Sequence, residues 1–232
     1  MHCPRCQHPQ EDGLEACQAC GVVFSRWPPP PRPVQTAPED GGTWLQDLLW
    51  PEPAGSAGAV LARAFALAVL ALLTVRVLAA PLTGPEAMGF LHWIDLPFHE
   101  AGHFVFSPFG TFLHILGGTL GQLLVPLLVA GAFARQRDPF GAGVGLWWMG
   151  QSFVDCAPYI ADARARQLLL ISGETGQTDW EGHDWYQLLD RTGLLSLDLT
   201  LARFAWILGA LLMAAALAWG VWTLRRQWPG RA

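Results

Sequence analysis

Lysine is absent from this 232-residue sequence, whose 14 cationic side chains are all arginine. Charge of either sign is scarce, at 14% of residues against 52% hydrophobic, where soluble domains carry roughly a quarter charged. That shortage argues against a water-soluble enzyme. A net charge of -5 with no basic block argues against a nucleic-acid reader, so no nucleic-acid partner is expected. Disorder is excluded over most of the chain, because so apolar a composition buries area easily. An integral membrane protein is the class that remains.

Cysteine is also sparse, and its placement is informative. Four of the five fall in the first twenty residues, as Cys3-Pro-Arg-Cys6 and Cys17-Gln-Ala-Cys20. Paired knuckles of this kind read as a structural Zn²⁺ site, in which the ion replaces the core that so short a segment cannot build. A disulfide pair or a redox CxxC is the competing reading. Thiolate ligation implies a reducing compartment, so the N-terminus is expected in the cytosol, with no cleavable signal peptide ahead of it. Gly21 after the second knuckle suits a tight turn, whereas Gln7 after the first is less usual. Cys156 reads as a small buried hydrophobe.

The zinc ribbon is expected over residues 1–27, followed by a Pro/Gly-rich linker over 28–58, in which 28–33 and 36–43 cannot hold a helix. The remainder, 59–232, reads as an all-α membrane domain. Segments 59–80, 115–134, 141–160 and 204–224 each hold enough apolar residues to cross roughly 30 Å of hydrocarbon. A fifth, 88–106, is broken by Pro97 and by Ser107-Pro108-Phe109-Gly110. From Pro97 to that break is only about 15 Å of helix, so a half-helix or re-entrant segment is expected beside about four spans. Four spans also place Arg135, Arg137, Arg225, Arg226 and Arg231 on the ribbon's side, as the positive-inside rule asks. Residues 161–203 form a polar connection with the cluster Trp180-Glu181-Gly182-His183-Asp184-Trp185. GxxxG spacings at Gly117–Gly121 and Gly141–Gly145 permit close helix crossings.

Within 88–106 lies His99-Glu100-Ala101-Gly102-His103, an HExxH motif. On a helix, histidines four apart share a face and can both reach one Zn²⁺. Glu100, one step round, is placed as the general base for the attacking water, whose pKa a metal lowers to about 7. Seven histidines and eight glutamates make a chance match expected about once in a hundred such chains. Ionisable residues inside an apolar stretch are costly, which makes a functional site the first reading.

A catalytic zinc needs a third protein ligand. Asp155, Asp162, His183 and Asp184 are the candidates, with Asp162 preferred over His183 and Asp155. Asp162 lies seven residues, two turns, beyond Asp155, and both share a face if the helix survives Pro158. Phe106 and Phe109 stand where a metzincin needs glycine and a third histidine. Asp95, one turn before His99, is expected to accept an imidazole N–H. His92 and His114 read as interfacial or core histidines, and Gln122 and Gln151 as interhelical hydrogen-bonding residues.

The HEAGH motif in an apolar segment, followed by Gly117-Gly118-Thr119-Leu120-Gly121-Gln122, resembles the site-2-protease family of intramembrane zinc metalloproteases. The first 27 residues resemble the zinc ribbons at the front of uncharacterised bacterial membrane proteins. The resemblance implies His99 and His103 as zinc ligands, Glu100 as general base, and a bacterial cytoplasmic membrane. The family's aspartate sits in an LDG or NPDG motif that does not occur here; Leu197-Asp198-Leu199 comes nearest and lacks the glycine. Two functions stay open: a protease acting on a membrane-protein substrate, its ribbon engaging a cytosolic partner, or a non-catalytic membrane scaffold with a structural or vestigial metal site.

Overall fold

The computed structural model describes residues 1–26, 46, 48, 56–83 and 89–228. Most of the expected linker lies outside these residues, as does Met88. Two compact units divide at residue 41, and each is described by itself.

In the first unit the two CxxC knuckles repeat one geometry. The N–H of Gln7 donates to the Cys3 carbonyl and that of Gly21 to the Cys17 carbonyl, both at 2.9 Å. Gln7 and Gly21 take the same left-handed backbone, with φ of 56° and 69°; glutamine at the first knuckle therefore adopts what glycine adopts at the second. Bridges His2–Pro9 and Ala16–Val23 close the two loops. Sγ atoms approach to 3.7 Å in the pairs Cys3–Cys20 and Cys6–Cys17, too far for a disulfide, and all four thiols are free. The four can hold a metal such as zinc.

The second unit is helical, with no β-strand among the described residues. Its helices are α1 (Ala57–Leu78), α2 (His92–Phe106), α3 (Thr111–Arg135), α4 (Pro139–Ala161), α5 (Asp184–Thr192) and α6 (Asp198–Gln227). Local chemistry sets their ends. The Ser56 hydroxyl caps α1 by accepting from the Ala59 N–H at 3.2 Å. Asp138 accepts from Phe140 and Gly141 ahead of α4, with Pro139 in the first turn. Gly193, at φ 70°, ends α5 in the left-handed conformation. Gly110, at φ 96°, separates α3 from the short 3₁₀ turn that follows α2.

Three segments are long and apolar enough to cross a membrane: Ala57–Leu78, Thr111–Arg135 and Leu195–Gln227. Their large apolar side chains face outward, among them Phe65, Leu72, Leu128, Phe204 and Leu211. This inverts the soluble pattern and suits contact with lipid acyl chains. The fourth expected span, α4, has the length but not the apolar composition. It is the helix the others surround, with Gln151, Ser152 and Asp155 buried among them. It continues through Pro158 to Ala161.

Glycine lets these helices touch through their backbones. A Cβ on Gly102 would strike the Gly117 carbonyl oxygen, and one on Gly121 would lie 2.8 Å from the Gly102 Cα. Glycine before the second histidine of HEAGH is thus required by the crossing of α2 on α3. These pairings show α2 running antiparallel to α3. The N-terminal end of α2 lies beside the middle of α4, where Asp95 accepts from the Trp148 indole at 2.8 Å.

Two polar locks mark opposite ends of the bundle. At one end Arg63 donates to the Gln227 amide oxygen at 2.6 Å, with Asp138 3.7 Å away, tying the start of α1 and of α4 to the end of α6. At the other, Arg164 grips Asp198 through two contacts of 2.7 Å, tying the polar connection to the start of α6.

Candidate metal centre

His99 and His103 lie on one face of α2, with ring centroids 4.9 Å apart. The third group at this place is Asp184, in the first turn of α5. Its Oδ2 stands 2.9 Å from His99 Nε2 and 3.2 Å from His103 Nε2, and the three residues form a cluster able to hold a metal.

The chain delivers Asp184 by a specific route. His183 ends the polar connection as the N-cap of α5, its Nδ1 accepting from the Tyr186 N–H at 3.2 Å. The backbone N–H of Asp184 then donates to the Tyr159 hydroxyl at 2.9 Å, and that hydroxyl donates to the Gly182 carbonyl at 3.2 Å. A tyrosine on α4 thereby fixes the height of the carboxylate over the histidines. Burial pushes the Asp184 carboxyl up, but hydrogen bonds from His103 and His99 outweigh it and hold the group below the usual carboxylate range.

The donor set fits a divalent ion such as zinc. His103 Nδ1 donates to the His114 carbonyl at 2.8 Å, while His114 Nδ1 donates back to the His103 carbonyl at 2.8 Å. A carbonyl only accepts, so the proton of neutral His103 sits on Nδ1 and Nε2 keeps its lone pair. In that neutral form the Nε2 lone pair and the Asp184 carboxylate oxygen point at one place, where a cation takes the position that an imidazole proton holds in the hydrogen bond to Asp184. Gly118 keeps the space clear: a Cβ there would meet His99 Nε2 and lie 2.6 Å from His103 Nε2. Glu100, next to His99 on α2, lines the same cavity of about 510 Å³, with Tyr159 and the segment Leu168–Ile171 on its other walls.

The preferred third ligands from sequence lie elsewhere, and each has a different occupation. Asp162 caps the turn after α4, accepting from the N–H groups of Gln167 and Leu168, both at 2.9 Å. His183, fully enclosed, has its other ring nitrogen 3.3 Å from Asp162 Oδ2 and packs on Tyr159 with centroids 4.5 Å apart. Asp155 is held by His92 at 2.9 Å and Gln122 at 2.8 Å. Asp184, named among the candidates but ranked below them, takes the place. Asp95 binds Trp148 and Ser152, not an imidazole, which corrects the expectation for it. His92 and His114 lie outside the cluster and hydrogen-bond to Asp155 and to the His103 backbone. Cys156 is buried as expected.

Sequence reasoning missed Tyr159 altogether. One signal was available: it is one of only two tyrosines in the chain, and it lies within an apolar helix, where a hydroxyl needs a partner. Comparison with protein-family models, curated proteins and solved structures returns no match.

Proposed function

We propose that this protein is an intramembrane zinc metalloprotease that hydrolyses a peptide bond in or near the membrane. The observation that carries the reading is the convergence of His99, His103 and Asp184 in a cavity walled by membrane-length helices, with Glu100 beside it. A zinc ion held by these three residues would polarise the scissile carbonyl and acidify the attacking water. Glu100 takes the proton released as the water oxygen bonds to the carbonyl carbon. As the C–N bond breaks, Glu100 returns that proton to the departing nitrogen. Tyr159 holds the Asp184 backbone in register, and the apolar wall Leu168–Ile171 receives an apolar substrate segment.

In this reading α4 is a fourth span that crosses inside a sheath of the other helices, where its polar residues meet protein rather than lipid. The short α2 is the half-helix that carries the site. Arg63, Arg135, Arg225 and Arg226 gather at the end away from the metal centre, so that end faces the cytosol. The ribbon is cytosolic as well, where reduced thiols persist and a cytosolic protein can engage it. The membrane is the bacterial cytoplasmic membrane.

The test is cleavage of a reporter membrane substrate by the purified chain in liposomes, with zinc measured in parallel. Glu100→Gln should keep its zinc and lose about 10²–10⁴-fold in turnover. Turnover equal to wild type in that variant removes Glu100 from its role. The missing LDG-type motif favours the second reading, a non-catalytic scaffold. Full zinc occupancy with no cleavage of any reporter by the wild-type chain would establish it.

A further inference from the structure

His99 differs from His103 in what holds its far nitrogen. Behind His103 is a backbone carbonyl, which cannot turn over. Behind His99 is the side chain of Gln122, buried on α3, with Oε1 3.3 Å from His99 Nδ1. A glutamine amide can present either its oxygen or its nitrogen, and only one choice suits a metal ligand.

The choice is made one residue further back. The Gln122 Nε2 donates to Asp155 Oδ2 at 2.8 Å, and the same carboxylate oxygen lies 2.9 Å from His92 Nδ1. Asp155 Oδ2 accepts at this position, so the amide nitrogen faces Asp155 and the amide oxygen faces His99. An amide oxygen only accepts. Neutral His99 therefore carries its proton on Nδ1 and leaves the Nε2 lone pair for a metal ion shared with Asp184. Were the amide reversed, its N–H would require a lone pair on Nδ1, and the imidazole proton would move to Nε2, where the metal must sit.

We propose that Gln122 and Asp155, backed by His92, are positioning residues that lock His99 in the tautomer that ligates metal; the inference rests on the metal reading given above. It also accounts for a carboxylate within the apolar stretch of α4 that is not itself a ligand. Asp155 is buried because it accepts two hydrogen bonds there, which offset the cost of taking it out of water.

The experiment titrates Co²⁺ against a competing chelator into the full-length chain in detergent, its ribbon already loaded with zinc, and reads both affinity and the visible spectrum of the bound ion. His99→Ala identifies the signal of this site. Gln122→Met, close in size but only a weak acceptor, should bind about 10–100-fold more weakly with an altered spectrum. The double variant Gln122→Glu with Asp155→Asn reverses the donor and acceptor between the two positions. The amide introduced at position 155 then donates to the carboxylate introduced at position 122, which still accepts from His99 Nδ1, and affinity should return to within about threefold of wild type. Where Gln122→Met fails to fold, this double variant decides alone. Wild-type affinity in Gln122→Met, or no recovery in the double variant, overturns the relay while leaving the metal site standing. Absence of any His99-dependent Co²⁺ signal in the wild-type chain overturns the metal reading and the relay together.

Discussion

Asp184 Oδ2 lies 2.9 Å from His99 Nε2, although 85 positions of chain separate the two residues. The 15-residue helix α2 supplies the imidazole and the first turn of α5 supplies the carboxylate. The centre is complete only when the polar connection folds down upon α2 and α3.

Asp184→Asn should therefore remove the second metal while the ribbon keeps its own. An amide in place of the carboxylate loses the charge that draws the ion, and affinity should fall by more than about 100-fold. Asp162→Asn, two positions before Arg164 in the same connection, should retain both metals. Metal analysis of the two purified variants distinguishes them, and equal loss from both would contradict the placement of Asp162 outside the cluster.

Gly118→Ala should abolish occupancy of the same site, because the added methyl enters the space between the two Nε2 atoms. Gly131→Ala, on the same helix with nothing within 4 Å of its Cβ, is the matched control. Occupancy of the site in Gly118→Ala would mean that the histidines reach the ion from another side.

Tyr159→Phe should lower metal affinity about tenfold while leaving the helices assembled. The variant removes the oxygen that accepts the Asp184 N–H, and an unsatisfied backbone donor costs about 1–3 kcal/mol. Paired measurements of zinc affinity and helical content are sufficient to check it.

Acid should loosen the polar connection from its Asp162 end. Burial raises the Asp162 carboxyl, but hydrogen bonds from His183 and from the N–H groups of Gln167 and Leu168 outweigh it and hold the group below its ordinary value. A carboxyl depressed in the folded state stabilises that state above its unfolded pKa of about 3.9, and the contribution is lost as pH falls through the lower folded value. Protection of the Gln167 and Leu168 amides from exchange, taken relative to their intrinsic rates at each pH, should thus be unchanged from neutrality to about pH 5 and fall below about pH 4. In Asp162→Asn that acid-dependent step should vanish.

Substrate contact is testable at Leu169 and Ile171, which are 73% and 72% exposed on the segment that walls the cavity. Leu169→Asp should raise KM for an apolar reporter about tenfold or more with little change in kcat, since it alters binding remote from Glu100. A fall in kcat at unchanged KM would place the segment in a different role.

Much of this architecture was legible from residue types alone. Scarce charge, runs of about twenty apolar residues and two CxxC pairs are local features, and the helices and knuckles they imply arise from local backbone chemistry. The spacing of His99, Glu100 and His103 on one helical face is equally local, as is the break after α2 at Gly110. Composition also carries the sign of α4, whose polar residues set it apart from the three lipid-facing helices.

The third member of the cluster was not local. Asp155, Asp162, His183 and Asp184 are all acids or imidazoles near the end of α4 or in the connection after it, and linear order ranks them poorly. Packing decided among them. Asp162 is consumed by a turn, His183 by capping α5, and Asp155 by Gln122 and His92, which leaves Asp184 to face the histidines. The sequence by itself determined that this chain has membrane-length helices, a four-cysteine head and a pair of histidines able to share an ion. Only the tertiary structure determined which carboxylate joins them, because each candidate's hydrogen-bonding capacity is spent on whatever neighbour the fold brings within about 3 Å.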